Sequence, residues 1–181
     1  MGIPNLLTFL RIILIPVFIL LFYLPFRGSH VLAAIIFIFA AMTDWLDGYL
    51  ARSLGQVSKL GTFLDPVADK LIVVTALVLL VGDRVLPYLA IPAIVIICRE
   101  IMVSALREWM AEIGKRTRIA VTRIGKIKTT VQMLALILLL LYKPGAWFAL
   151  ALSGYLLLYL AALLTLWSMS LYLKAAWHDL S

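Results

Sequence analysis

Asp44, Asp47, Asp65 and Asp69, with Gly48, Gly61, Ala51 and Arg52, stand at helical intervals within TDWLDGYLARSLGQVSKLGTFLDPVADK, residues 43–70. On a helix, with about 100° per residue, Asp44 at zero places Asp47 near about −60°, Ala51 near −20°, Gly48 near +40° and Arg52 near +80°. One face therefore presents two carboxylates, two minimal side chains and a guanidinium. Gly61, Asp65 and Asp69 form an i, i+4, i+8 row on the helix that follows. The connection between the two segments is short, so they form an antiparallel hairpin on which the acidic faces converge. Four carboxylates crowded together cannot all ionise without counter-charge. Hard divalent cations with oxygen ligands supply it, and four aspartates suit a pair of Mg²⁺ or Mn²⁺ ions that keep some waters for substrate oxygens. Paired metals are a recurrent device for displacement at phosphorus. Gly48, Ala51 and Gly61 leave room for a nucleotide against the backbone, and Arg52 offers a fork for phosphate oxygens. For Gly48 and Gly61, close helix packing is the competing reading.

These residues need elements to hold them, and the composition says what kind. Of 181 residues, 65% are hydrophobic and only 14% charged, against about a quarter charged in soluble domains. So much apolar surface requires the bilayer as solvent. Apolar segments near 6–26, 31–51, 62–82, 86–109, 126–142 and 146–173 predict six spans in one domain over 1–181. The expected fold is all-α and integral to the membrane, a six-helix bundle with a polar metal-binding cavity open to the cytoplasm. The formal charge of +7 falls between apolar segments, which favours lipid headgroups and phosphorylated substrates over nucleic acid. Arg52 and Lys59, then Lys115, Arg116, Arg118, Arg123, Lys126 and Lys128, crowd the second and fourth connections. The positive-inside bias turns those connections, and both termini, to the cytoplasm. The N-terminus has no basic stretch ahead of its apolar run, which argues against a cleaved signal. Cys98 alone permits no disulfide framework and is expected as a small buried residue.

Within such a bundle Asp44, Asp47, Asp65, Asp69, Lys70, Arg99, Glu100 and Arg107 lie in or at the ends of spans. Ionisable residues there are costly and mark function by default. The spacing Asp-x2-Asp-Gly-x2-Ala-Arg-x8-Gly-x3-Asp-x3-Asp, Asp44 through Asp69, resembles the signature of the CDP-alcohol phosphotransferase family at every signature position. The resemblance implies a six-helix membrane fold, usually dimeric, with two metals held by Asp44, Asp47, Asp65 and Asp69. It implies a CDP-lipid whose nucleotide lies against Gly48, Ala51 and Gly61, with Arg52 on the diphosphate. Asp69 matches the position assigned as general base. A bacterial inner-membrane location follows.

The acceptor alcohol must be argued elsewhere. A dianionic phosphate wants several cations, and the candidates are Arg11, Arg99, Arg107, Arg116, Arg118 and Lys126, with Lys59, Lys70, Arg123 and Lys128 beside them. Arg99 and Arg107 could instead pair with Glu100 or Glu108. The basic residues of the connections could serve only orientation and lipid contact. Asn5, Thr8 and Arg11 either line the cavity mouth or anchor the first helix at the interface. MGIPNLLTFLRIILIPVF, FLDPVADK and CREIMVSALREWMAEIGK resemble the branch of the family that acts on glycerol 3-phosphate, which implies phosphatidylglycerophosphate and CMP as products. Inositol phosphate, or phosphatidylglycerol in a route to cardiolipin, are the alternative acceptors. A divalent-cation transporter would spread its carboxylates along a path through several helices rather than along one hairpin.

Overall fold

The computed structural model of the chain describes residues 3–26, 28–54, 59–83, 86, 88–112, 123–142 and 148–180; side chains at 3–5, 44–54, 59–60, 62–63, 107, 111, 123–126, 171–172 and 174–180 also lie outside the description. Among the described residues all regular secondary structure is helical. Its elements are α1 (Ile3–Tyr23), α2 (Ser29–Leu54), α3 (Lys59–Gly82), α4 (Ala90–Glu112), α5 (Arg123–Leu141) and α6 (Phe148–Leu180). Each expected segment has its helix. The boundaries differ most at the polar ends. Thus α2 continues to Leu54 and α6 to Leu180, because backbone hydrogen bonding persists where hydrophobicity stops. Two helices contain stretches long and apolar enough to cross a bilayer, Leu6–Tyr23 and Phe148–Ser170, while Ser29–Thr43 and Ile127–Leu141 are shorter apolar runs. In α3 and α4 the charges at Asp65, Asp69, Lys70, Arg99 and Glu100 interrupt the apolar run.

Cα packing divides the chain into two compact units, residues 1–85 with 140–146 and residues 86–139 with 147–181. In the first unit α1 packs on α2 and α3, and α2 on α3. The stripe Thr8, Arg11, Phe18 and Phe22 on α1 is buried, at the three-and-four spacing that keeps side chains on one face. Ala33, Phe37 and Ala40 form the buried stripe of α2, and the rings of Phe18 and Phe37 meet at 6.0 Å. The opposite face of α1 exposes Leu6, Ile13 and Leu20. Such a face is costly in water and at home in lipid. The turn into α2 is tight at Gly28, where an added Cβ would stand 3.0 Å from the Phe26 ring.

In the second unit α4 packs on α6. Ala151, Gly154, Leu158, Ala161, Thr165 and Ser168 form the buried stripe of α6, and Ile96, Arg99, Val103 and Met110 that of α4. Small residues let helices approach closely in a membrane, where van der Waals packing replaces the hydrophobic drive between them. Gly154 shows how closely: a Cβ there would lie 2.8 Å from Leu139 of α5.

Candidate active site

In the first unit the acidic row of α3 is held from α1. Thr8 donates its hydroxyl proton to Asp65, and the Arg11 guanidinium pairs with Asp69. Thr8 and Arg11 are one turn apart, as are Asp65 and Asp69, so each α1 residue meets the aspartate at its own level. The two contacts advance together along both helices, so α1 and α3 run in the same direction. Both α1 residues are fully buried, whereas the Asp69 side chain is 39% exposed. A buried arginine in an apolar helix requires a carboxylate partner, and Asp69 is that partner. Pro66 follows Asp65 inside α3. Lacking an N–H, it cannot donate the intrahelical bond to the carbonyl four residues earlier.

The carboxylates of this row point to hard-cation chemistry. Asp65 and Asp69 supply oxygen donors at i, i+4, a donor set that suits Mg²⁺ or Mn²⁺ and not a thiophilic metal. Asp44, Asp47, Gly48, Ala51 and Arg52 belong to α2, whose helical backbone runs unbroken through them. Their side chains lie outside the described residues. The helical backbone sustains the wheel on which Asp44 and Asp47 share a face. Among the described residues no group of three or more His, Cys, Asp or Glu side chains gathers; the side chains of Asp44 and Asp47 are not among them. Gly61 is buried in the first turn of α3. Asp47 lies two turns before the end of α2, and Asp65 nearly two turns after the start of α3. With a connection of four residues, 55–58, between the helices, both sit toward the same end of the unit, as do Thr8 and Arg11.

The second unit has its own charged centre. Glu100 on α4 accepts from Arg99 Nη1 at 3.0 Å and from Lys128 Nζ, on α5, at 2.5 Å. Arg99 Nη2 donates at 3.1 Å to Ser168 Oγ on α6, and Ser168 in turn donates to the Thr165 carbonyl at 2.9 Å. Arg99 and Lys128 are both buried. Arg99 and Lys128 thus converge on the Glu100 carboxylate among three apolar helices. Cluster membership follows from helix register: Lys128 shares the buried face of α5 with Gln132, Ala135 and Leu139.

Several sequence expectations are sharpened or moved. Arg11, read as a candidate for the acceptor phosphate, stands with Asp69. Arg99 makes the ion pair with Glu100 that competed with its phosphate role. Glu100 as the hub, and Ser168 as its extension, escaped the reading. The signal was the three-and-four register that places Ile96, Arg99 and Val103 on one face of α4. Cys98, expected to be buried, is exposed, because it occupies the other face of the helix from Ile96 and Arg99. Arg107, Arg116, Arg118, Lys126, Lys59 and Arg123 have side chains outside the described residues, as does Asn5.

Fold and site together define an all-helical protein of membrane character, with ionisable side chains sunk among apolar helices. The chain belongs to the CDP-alcohol phosphatidyltransferase family, whose profile matches residues 1–167. It is 53% identical to a protein of Yersinia enterocolitica over 99% of this chain and 97% of that one. It is 58% identical to one of Pseudomonas fluorescens over 99% and 92%, and 54% identical to one of Pectobacterium atrosepticum over 99% and 97%. All three relatives carry the name CDP-diacylglycerol–glycerol-3-phosphate 3-phosphatidyltransferase.

Proposed function

We propose that this chain is a membrane-embedded transferase of phospholipid biosynthesis that moves the phosphatidyl group of CDP-diacylglycerol to glycerol 3-phosphate. The products are phosphatidylglycerophosphate and CMP. The observation that carries the reading is identity of 53–58% over nearly the whole chain to relatives named for that reaction. The aspartate row of α3, on the family's spacing, supports it.

The chemistry asks for few groups. Asp69 accepts the proton of an acceptor hydroxyl. That oxygen forms a bond to the lipid-side phosphorus as the bond from that phosphorus to the bridging oxygen of CMP breaks. Arg52 holds the diphosphate, and Gly48, Ala51 and Gly61 leave space for the nucleotide. Asp44, Asp47, Asp65 and Asp69 are the proposed ligands of two Mg²⁺ or Mn²⁺ ions. Such cations, when bound, neutralise charge on the diphosphate and on departing CMP. Arg99, Arg107, Arg116, Arg118 and Lys126 are the cations proposed for the acceptor phosphate. We further propose six spans functioning as one domain, a homodimer, and an inner-membrane orientation with both termini and the carboxylates cytoplasmic. The loop charges support that orientation.

The test is CMP release by detergent-purified protein given CDP-diacylglycerol and Mg²⁺, with glycerol 3-phosphate, inositol phosphate, serine and phosphatidylglycerol offered separately. Release with glycerol 3-phosphate alone, lost on chelation and restored by Mg²⁺ or Mn²⁺, is the expected result. Release with a different alcohol overturns the acceptor and keeps the chemistry.

A further inference from the structure

The pairing of Arg11 with Asp69 gives the carboxylate row a cation of its own. Arg11 is fully buried on α1 and its guanidinium bonds the Asp69 carboxylate. Thr8, one turn earlier and equally buried, bonds Asp65. A buried guanidinium without an anion is expensive, and a row of carboxylates without cations is expensive for the opposite reason. Each relieves the other.

We propose that Arg11 is a positioning residue that serves as a resident counter-cation for Asp69, orienting that carboxylate and competing with divalent metal for its charge. Thr8 orients Asp65 and contributes no charge. The inference rests on the metal reading of the aspartates given above.

The two α1 residues make opposite and separable predictions. Removing Arg11 deletes one positive charge within a few ångströms of the proposed metal ligands, so a divalent cation binds more tightly. Since Asp69 is 39% exposed, the surroundings are closer to water than to a dry core. Coulomb repulsion between the Arg11 charge and a divalent ion across about 5 Å at that dielectric corresponds to a change of about tenfold in affinity. Turnover moves the other way. A carboxylate whose orientation is lost costs on the order of a hundredfold in rate.

The experiment is a titration of the purified full chain with Mn²⁺ alone, following free Mn²⁺ by electron paramagnetic resonance, with circular dichroism to verify helix content. Arg11→Met fills a similar volume and leaves Asp69 in contact with solvent, so it is expected to fold. It should bind Mn²⁺ about tenfold more tightly than the parent, while kcat for CMP release falls about a hundredfold with KM for CDP-diacylglycerol within threefold. Arg11→Lys keeps the charge; it should return the Mn²⁺ affinity to within about twofold of the parent and recover part of kcat. Thr8→Val, which changes no charge, should not tighten binding. If Arg11→Met does not fold, Arg11→Gln must show the tightening. Unchanged or weaker Mn²⁺ binding in a folded, charge-neutral variant, with the parent binding normally, overturns the counter-cation role and leaves the metal reading intact. A parent that binds no Mn²⁺ overturns both. Tightening without CMP release from any acceptor would uphold the counter-cation and sink the assigned reaction.

Discussion

Glu100→Gln isolates the energetic role of the charged centre in the second unit. Glu100 sits 3.0 Å from Arg99 and 2.5 Å from Lys128, whose side chains are only 8% and 4% exposed. Glutamine keeps the volume and an accepting oxygen but removes the negative charge, leaving two cations to repel each other out of water. Breaking a buried pair by removing one partner costs about 3–5 kcal/mol. The 24% exposure of Glu100 lets solvent screen part of this, so the lower end, about 3 kcal/mol, applies. For a chain of this size that is a fall of about 6–12 °C in melting temperature. The assay is thermal unfolding in detergent followed by tryptophan fluorescence. Glu100→Gln/Lys128→Met supplies the decisive comparison. With Lys128 also gone, its repulsion with Arg99 is relieved, so the double variant should melt above Glu100→Gln, with a coupling of about 2 kcal/mol. A double variant that melts below the single one, or a single variant within about 2 °C of the parent, would refute the reasoning.

Three further outcomes are expected. Asp69→Asn should abolish CMP release yet spare binding of CDP-diacylglycerol better than Asp44→Asn does; equal loss of binding in both would count against a distinct base at Asp69. Gly154→Ala should lower stability by about 1–3 kcal/mol, since its Cβ would stand 2.8 Å from Leu139 Cγ and Cδ2; a melting temperature at or above the parent's would show that α5 and α6 separate without cost. Ser168→Ala removes the hydroxyl that accepts from Arg99 and should cost about 1 kcal/mol, well below the effect of Glu100→Gln in the same melt. A loss as large as that of Glu100→Gln would make Ser168 the hub instead.

The corrections to the sequence reading share a cause. A span long enough for a bilayer is visible in composition, but the face it buries depends on which helix lies beside it. Cys98 looked buried because its neighbours are apolar, yet in a membrane protein the outward face is apolar as well. Hydrophobicity therefore loses the inside–outside meaning that it carries in water. The register of small and polar residues takes its place, as Gly154, Ala161, Thr165 and Ser168 on α6 illustrate. The apolar segments 31–51 and 146–173 stop short of the C-terminal ends of α2 and α6 for a related reason, since hydrophobicity records bilayer depth and helices continue beyond it.

The helical class and six apolar segments, each of which has a helix among the described residues, were legible in the sequence alone. These follow from local composition and from spacing along a single helix. Asp44, Asp47, Asp65 and Asp69 stand out as a family signature because they lie at fixed intervals within two adjacent segments, and the family they point to is the one the chain belongs to. Tertiary structure alone decided the partners: Arg11 with Asp69, Thr8 with Asp65, and Glu100 between Arg99 and Lys128. Arg11 and Asp69 lie 58 positions apart and Glu100 and Lys128 lie 28 apart, too far for any helical period to relate them. A buried cation must find a carboxylate, but which carboxylate is settled only when the helices pack.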